Sequence, residues 1–137
     1  MNSTDRPVLS DITALVVDDH RDSVHLLIAA LEPFGAAVIA AGSAPEAREL
    51  LRATDVDVVV CDLELPGENG LEFIRWVRSW SSTVPAIAVT FFPERFGVRE
   101  ARAAGFDVYL RKPIDPTDIV GVVATLMKRR RPSESSG

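Results

Sequence analysis

The stretch VDVVVCDLELPGENG, residues 56–70, carries the clearest architectural signal in the chain. Its first part, VDVVVC (56–61), is nearly continuous in apolar residues. A strand with one wet face alternates apolar and polar side chains, whereas a continuous run marks a strand covered on both faces, as in the middle of a parallel sheet flanked by helices. The second part turns at Asp62 into acidic, proline and glycine residues, so the buried strand opens directly into a polar loop.

The same alternation extends in both directions. Upstream lie the β-rich ITALVV (12–17), a helical pattern from Val24 to Leu31, the strand AAVIA, and a helical pattern from Pro45 to Leu51. Downstream, Leu71 to Trp80 reads as a helix, PAIAVT as a strand, Arg99 to Ala104 as part of a helix, DVYL as a strand, and Asp118 to Arg130 as a last helix. Five strand–helix pairs predict an α/β fold: a doubly wound, five-stranded parallel sheet with helices on both faces. Ser43 and Glu46 have the spacing of a capping box. Gly35 and Gly105 stand where helices should end, because glycine accepts the left-handed cap conformation without steric penalty. Residues 1–11 lack apolar periodicity and read as a flexible N-terminal arm, 12–131 as the folded domain, and 132–137 as a disordered tail.

The chain's 137 residues fit one domain, and its 47% hydrophobic content supports a core. A net charge of −5 supplies no broad positive surface, which argues against direct nucleic-acid binding. Cys61 has no partner for an internal disulfide, and neither a signal peptide nor a membrane-spanning apolar run is evident. A cytoplasmic location is the expectation.

In an open parallel sheet, ligands bind beyond the carboxyl ends of the strands where strand order reverses. Here the first strand ends in Asp18 and Asp19, the third in Asp62, the fourth in Thr90 and the fifth in Lys112. With the flavodoxin-like order 2-1-3-4-5 adopted as template, the first and third strands are neighbours and their carboxylates converge. Three clustered carboxylates raise one another's pKa unless a cation neutralises them. Oxygen donors with no histidine or cysteine cluster favour Mg2+, which keeps exchangeable waters for a phosphoryl oxygen. Asp62 then has the central position for a nucleophile forming an aspartyl phosphate, Lys112 supplies a compact positive charge, and the Thr90 hydroxyl a hydrogen bond.

The ordered set VVDD, DLELPGENG, VT and LRKP, spread between about Ile12 and Met127, resembles the response-regulator receiver family of two-component signalling. The resemblance implies a phosphoprotein switch for signal transduction rather than an enzyme. By it, Asp62 is the phosphoacceptor, Mg2+ is held by Asp18, Asp19, Asp62 and the backbone carbonyl of Glu64, and Thr90 and Lys112 contact the phosphoryl group. Tyr109 would join Thr90 as the rotating switch aromatic, and the bond before Pro113 would be cis. The implied donor is a histidine kinase or a histidine phosphotransfer protein of a phosphorelay. The implied output is a downstream protein on the face of the fourth helix, fifth strand and fifth helix, with a phosphorylation-linked dimer also open. No output domain follows, so a stand-alone single-domain regulator is expected.

Plainer readings compete. Paired aspartates also cap helices. Thr90 alone is an ordinary strand residue, and Tyr109 an ordinary packing aromatic. His20 and His25 are expected to be structural or solvated, and Cys61 a buried small hydrophobe. The KRRR run from Lys128 to Arg131 complements a helix C-terminus. Phe91 and Phe92 follow Thr90, where receivers commonly carry a small residue. They either pack into the core and onto the next helix or form a partial lid over the site. The alternative function is a magnesium-dependent phosphohydrolase with an aspartyl-phosphate intermediate, although such enzymes place the nucleophile on the first strand in a DxD spacing that Asp18, Asp19, His20 lacks. A dinucleotide site would require a glycine-rich first loop, and DDHRDS has none.

Overall fold

A computed structural model of the chain describes the backbone of residues 7–136 and side chains as far as Arg130. Strands β1 (Thr13–Val17), β2 (Ala37–Ala41), β3 (Val58–Asp62), β4 (Ala86–Thr90) and β5 (Val108–Arg111) alternate with helices α1 (Arg21–Leu31), α2 (Ala44–Ala53), α3 (Gly70–Trp80), α4 (Val98–Ala104) and α5 (Pro116–Ser136). All pairings are parallel and the order is β2-β1-β3-β4-β5, so β1 and β3 meet at the reversal.

The residues of β3 face opposite ways in turn, and both sides are dry. Val59 and Cys61 join Leu15, Val17, Ala86 and Ala88 against α2, α3 and α4, with Phe73, Ile74 and Val77 at the centre. Val58 and Val60 join Ala14, Val16, Ile87 and Val89 against α1 and α5, with Leu27, Leu31, Ile119 and Val123. Every β3 residue is buried, as the unbroken apolar run requires. Cys61 lies fully buried in the first cluster, with its thiol donating to the Asp62 carbonyl at 3.2 Å.

Several local details differ from expectation. The segment Pro7–Asp11 is part of the body rather than of a free arm: Leu9 is fully buried and its backbone N–H donates to the Phe34 carbonyl at 2.8 Å. One leucine without a periodic partner gives no pattern to read, but it fills the end of the core cluster under α1. Residues 1–6 lie outside the described part. Ser43 accepts from the Glu46 N–H, while Glu46 reaches back to Gly42 instead of Ser43. The reciprocal capping box forms at α3, between Asn69 and Glu72. Helix α5 continues to Ser136, through the stretch read as a tail; lengthening a formed helix adds a hydrogen bond per residue without a new nucleus. Lys128–Arg130 therefore sit inside the helix and not in its last turn, and the Arg130 guanidinium donates to the Asp57 carbonyl at 3.0 Å. No helix among the described residues is long and apolar enough to cross a membrane.

Candidate functional site

The parallel register carries Asp18, Asp62, Thr90 and Lys112 to one edge of the sheet. Asp62 is the last residue of β3, and Thr90 the last of β4. All four are buried, at 8% exposure or less, in a protein whose other buried side chains are almost entirely apolar. Such burial of charge requires partners. Lys112 supplies them: its Nζ lies 2.7 Å from Asp18 Oδ2 and 3.3 Å from Asp62 Oδ2. The lysine thus clamps two of the carboxylates together in this structure, in addition to any contact it makes with a ligand. The Lys112–Pro113 bond is cis.

Asp62 is held by the loop it opens. Its Oδ1 accepts the Glu64 N–H at 3.0 Å, which folds the chain back over the strand end. Burial pushes the Asp62 pKa up and Asp18 adds to this, against the Glu64 N–H and the Lys112 charge, which lower it. A neutralising cation would favour the ionised form that a nucleophile needs. Gly70, at the start of α3, lies directly behind: a Cβ there would sit 2.7 Å from the Asp62 carbonyl oxygen and 2.8 Å from Leu63 Cα. Glycine at this position is therefore a requirement of the site's packing.

His20 corrects the expectation of an oxygen-only pocket. Asp18 Oδ1 accepts the His20 backbone N–H at 2.9 Å, and its ring curls back with Nδ1 3.1 Å from the same oxygen. Nδ1 also lies 3.4 Å from Asp19 Oδ1 and 3.4 Å from Asp62 Oδ2. One ligand atom from each of Asp18, Asp19, His20 and Asp62 lies within 4.8 Å of the others. Desolvation lowers the His20 pKa, but the Asp18 hydrogen bond and the Asp19 charge outweigh it, with Lys112 opposing them, and the pKa is raised. Asp18, Asp19 and Asp62 form a hard-donor set that fits Mg2+. The carbonyl of Glu64 remains an expected further ligand.

Around this centre the loop 91–97 forms a wall. Phe91 and Phe92 are 49% and 39% exposed, so neither ring enters the core as the packing alternative expected. Phe91 instead stands over the site, 5.1 Å from Lys112 Nζ and edge-on to His20 at 6.5 Å. Thr90 Oγ1 accepts the Phe92 N–H at 2.9 Å. Arg95 pairs with Glu64 across the mouth and covers the Phe92 ring. Tyr109 is half-buried on β5, and its hydroxyl donates to the Phe96 carbonyl. Gly70 and Arg95 were not singled out from sequence, and His20 was expected to be structural or solvated; a close backbone approach at Gly70 and the side-chain directions of His20 and Arg95 are not encoded in spacing.

This arrangement can be compared with known proteins. The model of the response regulator receiver domain matches residues 14–124. The chain is 38% identical over 117 residues to the "uncharacterized 14.6 kDa protein in sodA1 3′ region" of Leptolyngbya boryana, covering 84% of this chain and 89% of that one. It is 30% identical to the response regulator protein PilR of Pseudomonas aeruginosa over 87% of its own length, but spans only 27% of PilR. Among solved structures, a CheY-like receiver domain from Methylobacillus flagellatus superposes with a TM-score of 0.75 at 28% identity, covering 84% of this chain and 98% of that one. Strand order, the acidic edge and a match spanning most of the sequence agree, and the chain belongs to the response regulator receiver domain family of two-component systems.

Proposed function

We propose that the protein is a phosphoacceptor switch in which Asp62 receives a phosphoryl group from a phosphohistidine on a histidine kinase or phosphotransfer protein. The observation that carries this is the pairing of buried Asp62 with buried Lys112, beside the carboxylates of Asp18 and Asp19. A carboxylate oxygen of Asp62 attacks phosphorus, the P–N bond breaks, and the electron pair returns to the imidazole nitrogen, which takes up a proton. Bound Mg2+ would neutralise the charge of the phosphoryl oxygens, held by Asp18, Asp19, Asp62 and the Glu64 carbonyl. Lys112 and the Thr90 hydroxyl contact the transferred group.

The response follows from the hydrogen bond that Thr90 already makes. Turning Oγ1 toward a phosphoryl oxygen surrenders the Phe92 N–H, and the loop 91–97 carries that change to Tyr109 through the Phe96 carbonyl. The readout surface is then α4-β5-α5, where a downstream protein or a second copy docks in the phosphorylated state. The test is incubation of the purified protein with acetyl phosphate and magnesium. One acid-stable, base-labile label per chain in wild type, and none in folded Asp62→Asn, is expected. Full labelling of Asp62→Asn would overturn the assignment, and many turnovers per chain would indicate a hydrolase.

A further inference from the structure

The two edges of the sheet are unlike. At one, β5 ends in exposed Arg111 and is preceded by Asp107, and such charges guard an open strand against pairing with another chain. At the other, β2 has no guard of this kind. Residues 35–43 contain neither a charged residue nor a proline, and the pairing with β1 runs without a bulge from Thr13↔Ala37 to Val17↔Ala41. The Ala37 N–H donates to the Ile12 carbonyl at 2.8 Å, and the Ala41 carbonyl accepts the Asp18 N–H at 2.9 Å. Alternate residues of a strand serve opposite neighbours, so Val38 and Ala40 turn their N–H and C=O groups outward. Ala40 is exposed, and Val38 and Ile39 are half-buried. Apolar surface continues past the start of the strand, where Phe34 is 44% exposed and Val8 57%, next to the backbone bond from Leu9 to the Phe34 carbonyl.

We infer that the β2 edge is a self-association surface, on which a second copy of this chain adds its own β2 antiparallel and continues the sheet across a two-fold axis. The outward groups of Val38 and Ala40 are placed symmetrically about Ile39. With the axis at Ile39, Val38 of each copy exchanges both backbone hydrogen bonds with Ala40 of the other. The Ile39 side chains of the two copies meet between them, in the closer, non-hydrogen-bonded position. Every outward N–H and C=O of Val38 and Ala40 is then paired. Charge favours a second copy as the occupant: the chain carries a net −5, so it can meet itself only where like charges stay apart, and the uncharged run 35–43 is such a place. A strand edge with Phe34 beside it is a small contact by the standard of permanent interfaces, so the dimer dissociates on dilution. Because β2 and β5 lie at opposite edges, the contact leaves α4-β5-α5 free and forms whatever the state of Asp62.

The experiment measures the molar mass of the whole chain by sedimentation over a range of concentrations, with and without acetyl phosphate and magnesium, and follows amide exchange by nuclear magnetic resonance. Wild type is expected to pass from monomer to dimer as concentration rises, equally in both conditions and in Asp62→Asn. The Val38 and Ala40 amides should gain protection as the dimer forms. Ala40→Pro removes an outward donor that the fold does not use, and Ala40→Glu puts a charge on the open edge. Each should weaken dimerisation by about tenfold or more while circular dichroism remains that of the folded chain. Ala40→Glu carries the test alone if the proline variant does not fold. A wild type that stays monomeric to the limit of its solubility overturns the inference, and so does a dimer that Ala40→Glu leaves intact. A dimer that forms only after phosphorylation also overturns it, and places the contact on α4-β5-α5.

Discussion

Replacing Lys112 with alanine should expose the electrostatic tension that the fold carries at its active edge. The ammonium is 2% exposed and lies 2.7 Å from Asp18 Oδ2 and 3.3 Å from Asp62 Oδ2, both on side chains no more than 3% exposed. Removing one partner of a buried ion pair leaves an uncompensated charge and costs about 3–5 kcal/mol. Here the loss falls near the lower figure, because Asp62, whose pKa burial already raises, can take up a proton once the lysine is gone. With about 3–4 °C per kcal/mol for a domain of this size, the metal-free variant should melt roughly 10 °C below wild type at neutral pH. The deficit should shrink on acidification, since Lys112 is one of the groups that hold the Asp62 pKa down and its loss lets protonation relieve the repulsion at higher pH. Magnesium should stabilise Lys112→Ala more than wild type, as binding to the folded state alone adds RT ln(1 + [L]/Kd) and the variant's carboxylates lack a competing cation. Thermal melts of both proteins in a chelator and in saturating magnesium, at neutral and mildly acidic pH, provide the measurement. Equal melting temperatures in chelator would refute the clamp.

Other substitutions separate the remaining roles. Gly70→Ala should destabilise by about 1–3 kcal/mol and slow labelling, because its Cβ meets the Asp62 carbonyl at 2.7 Å; denaturant midpoints and labelling rates check both. Asp19→Asn should weaken magnesium binding by about tenfold or more with little effect on the metal-free melt, because Asp19 is 39% exposed and outside the Lys112 clamp. Phe91→Ala should accelerate both phosphorylation by small donors and spontaneous loss of the phosphoryl group, since its ring stands over Lys112; unchanged rates in both directions would assign the ring to surface packing. In metal-free protein, the raised His20 pKa means a stabilising contribution fully present below its usual 6.5 and lost as pH rises through the folded value. His20→Asn should remove that part of the pH–stability profile.

The order of elements, the burial of β3 on both faces and the carboxylates at the strand ends were all legible in the chain. Each follows from a one-dimensional regularity: an unbroken apolar run from Val58 to Cys61, helical periodicity between strands, and charged residues immediately after apolar runs. Side-chain meetings between segments distant in sequence carry no such regularity. Lys112 reaches Asp18 across 94 positions, and only the parallel register of β1, β3, β4 and β5 makes them neighbours. Leu9 belongs to no periodic apolar pattern in the sequence, and the turn at Gly35 brings Phe34 beside it. The ring of His20 could have pointed to solvent; the Asx-type turn formed when Asp18 accepts its backbone N–H curls it into the pocket instead. Phe91 and Phe92 are apolar, and apolarity alone assigns them to the core, yet Val89 and Thr90 already fill the end of β4 and leave both rings at the mouth of the site. Sequence pattern therefore placed the reactive groups on their strands, while the packing of the loops beyond those strands determined which groups touch.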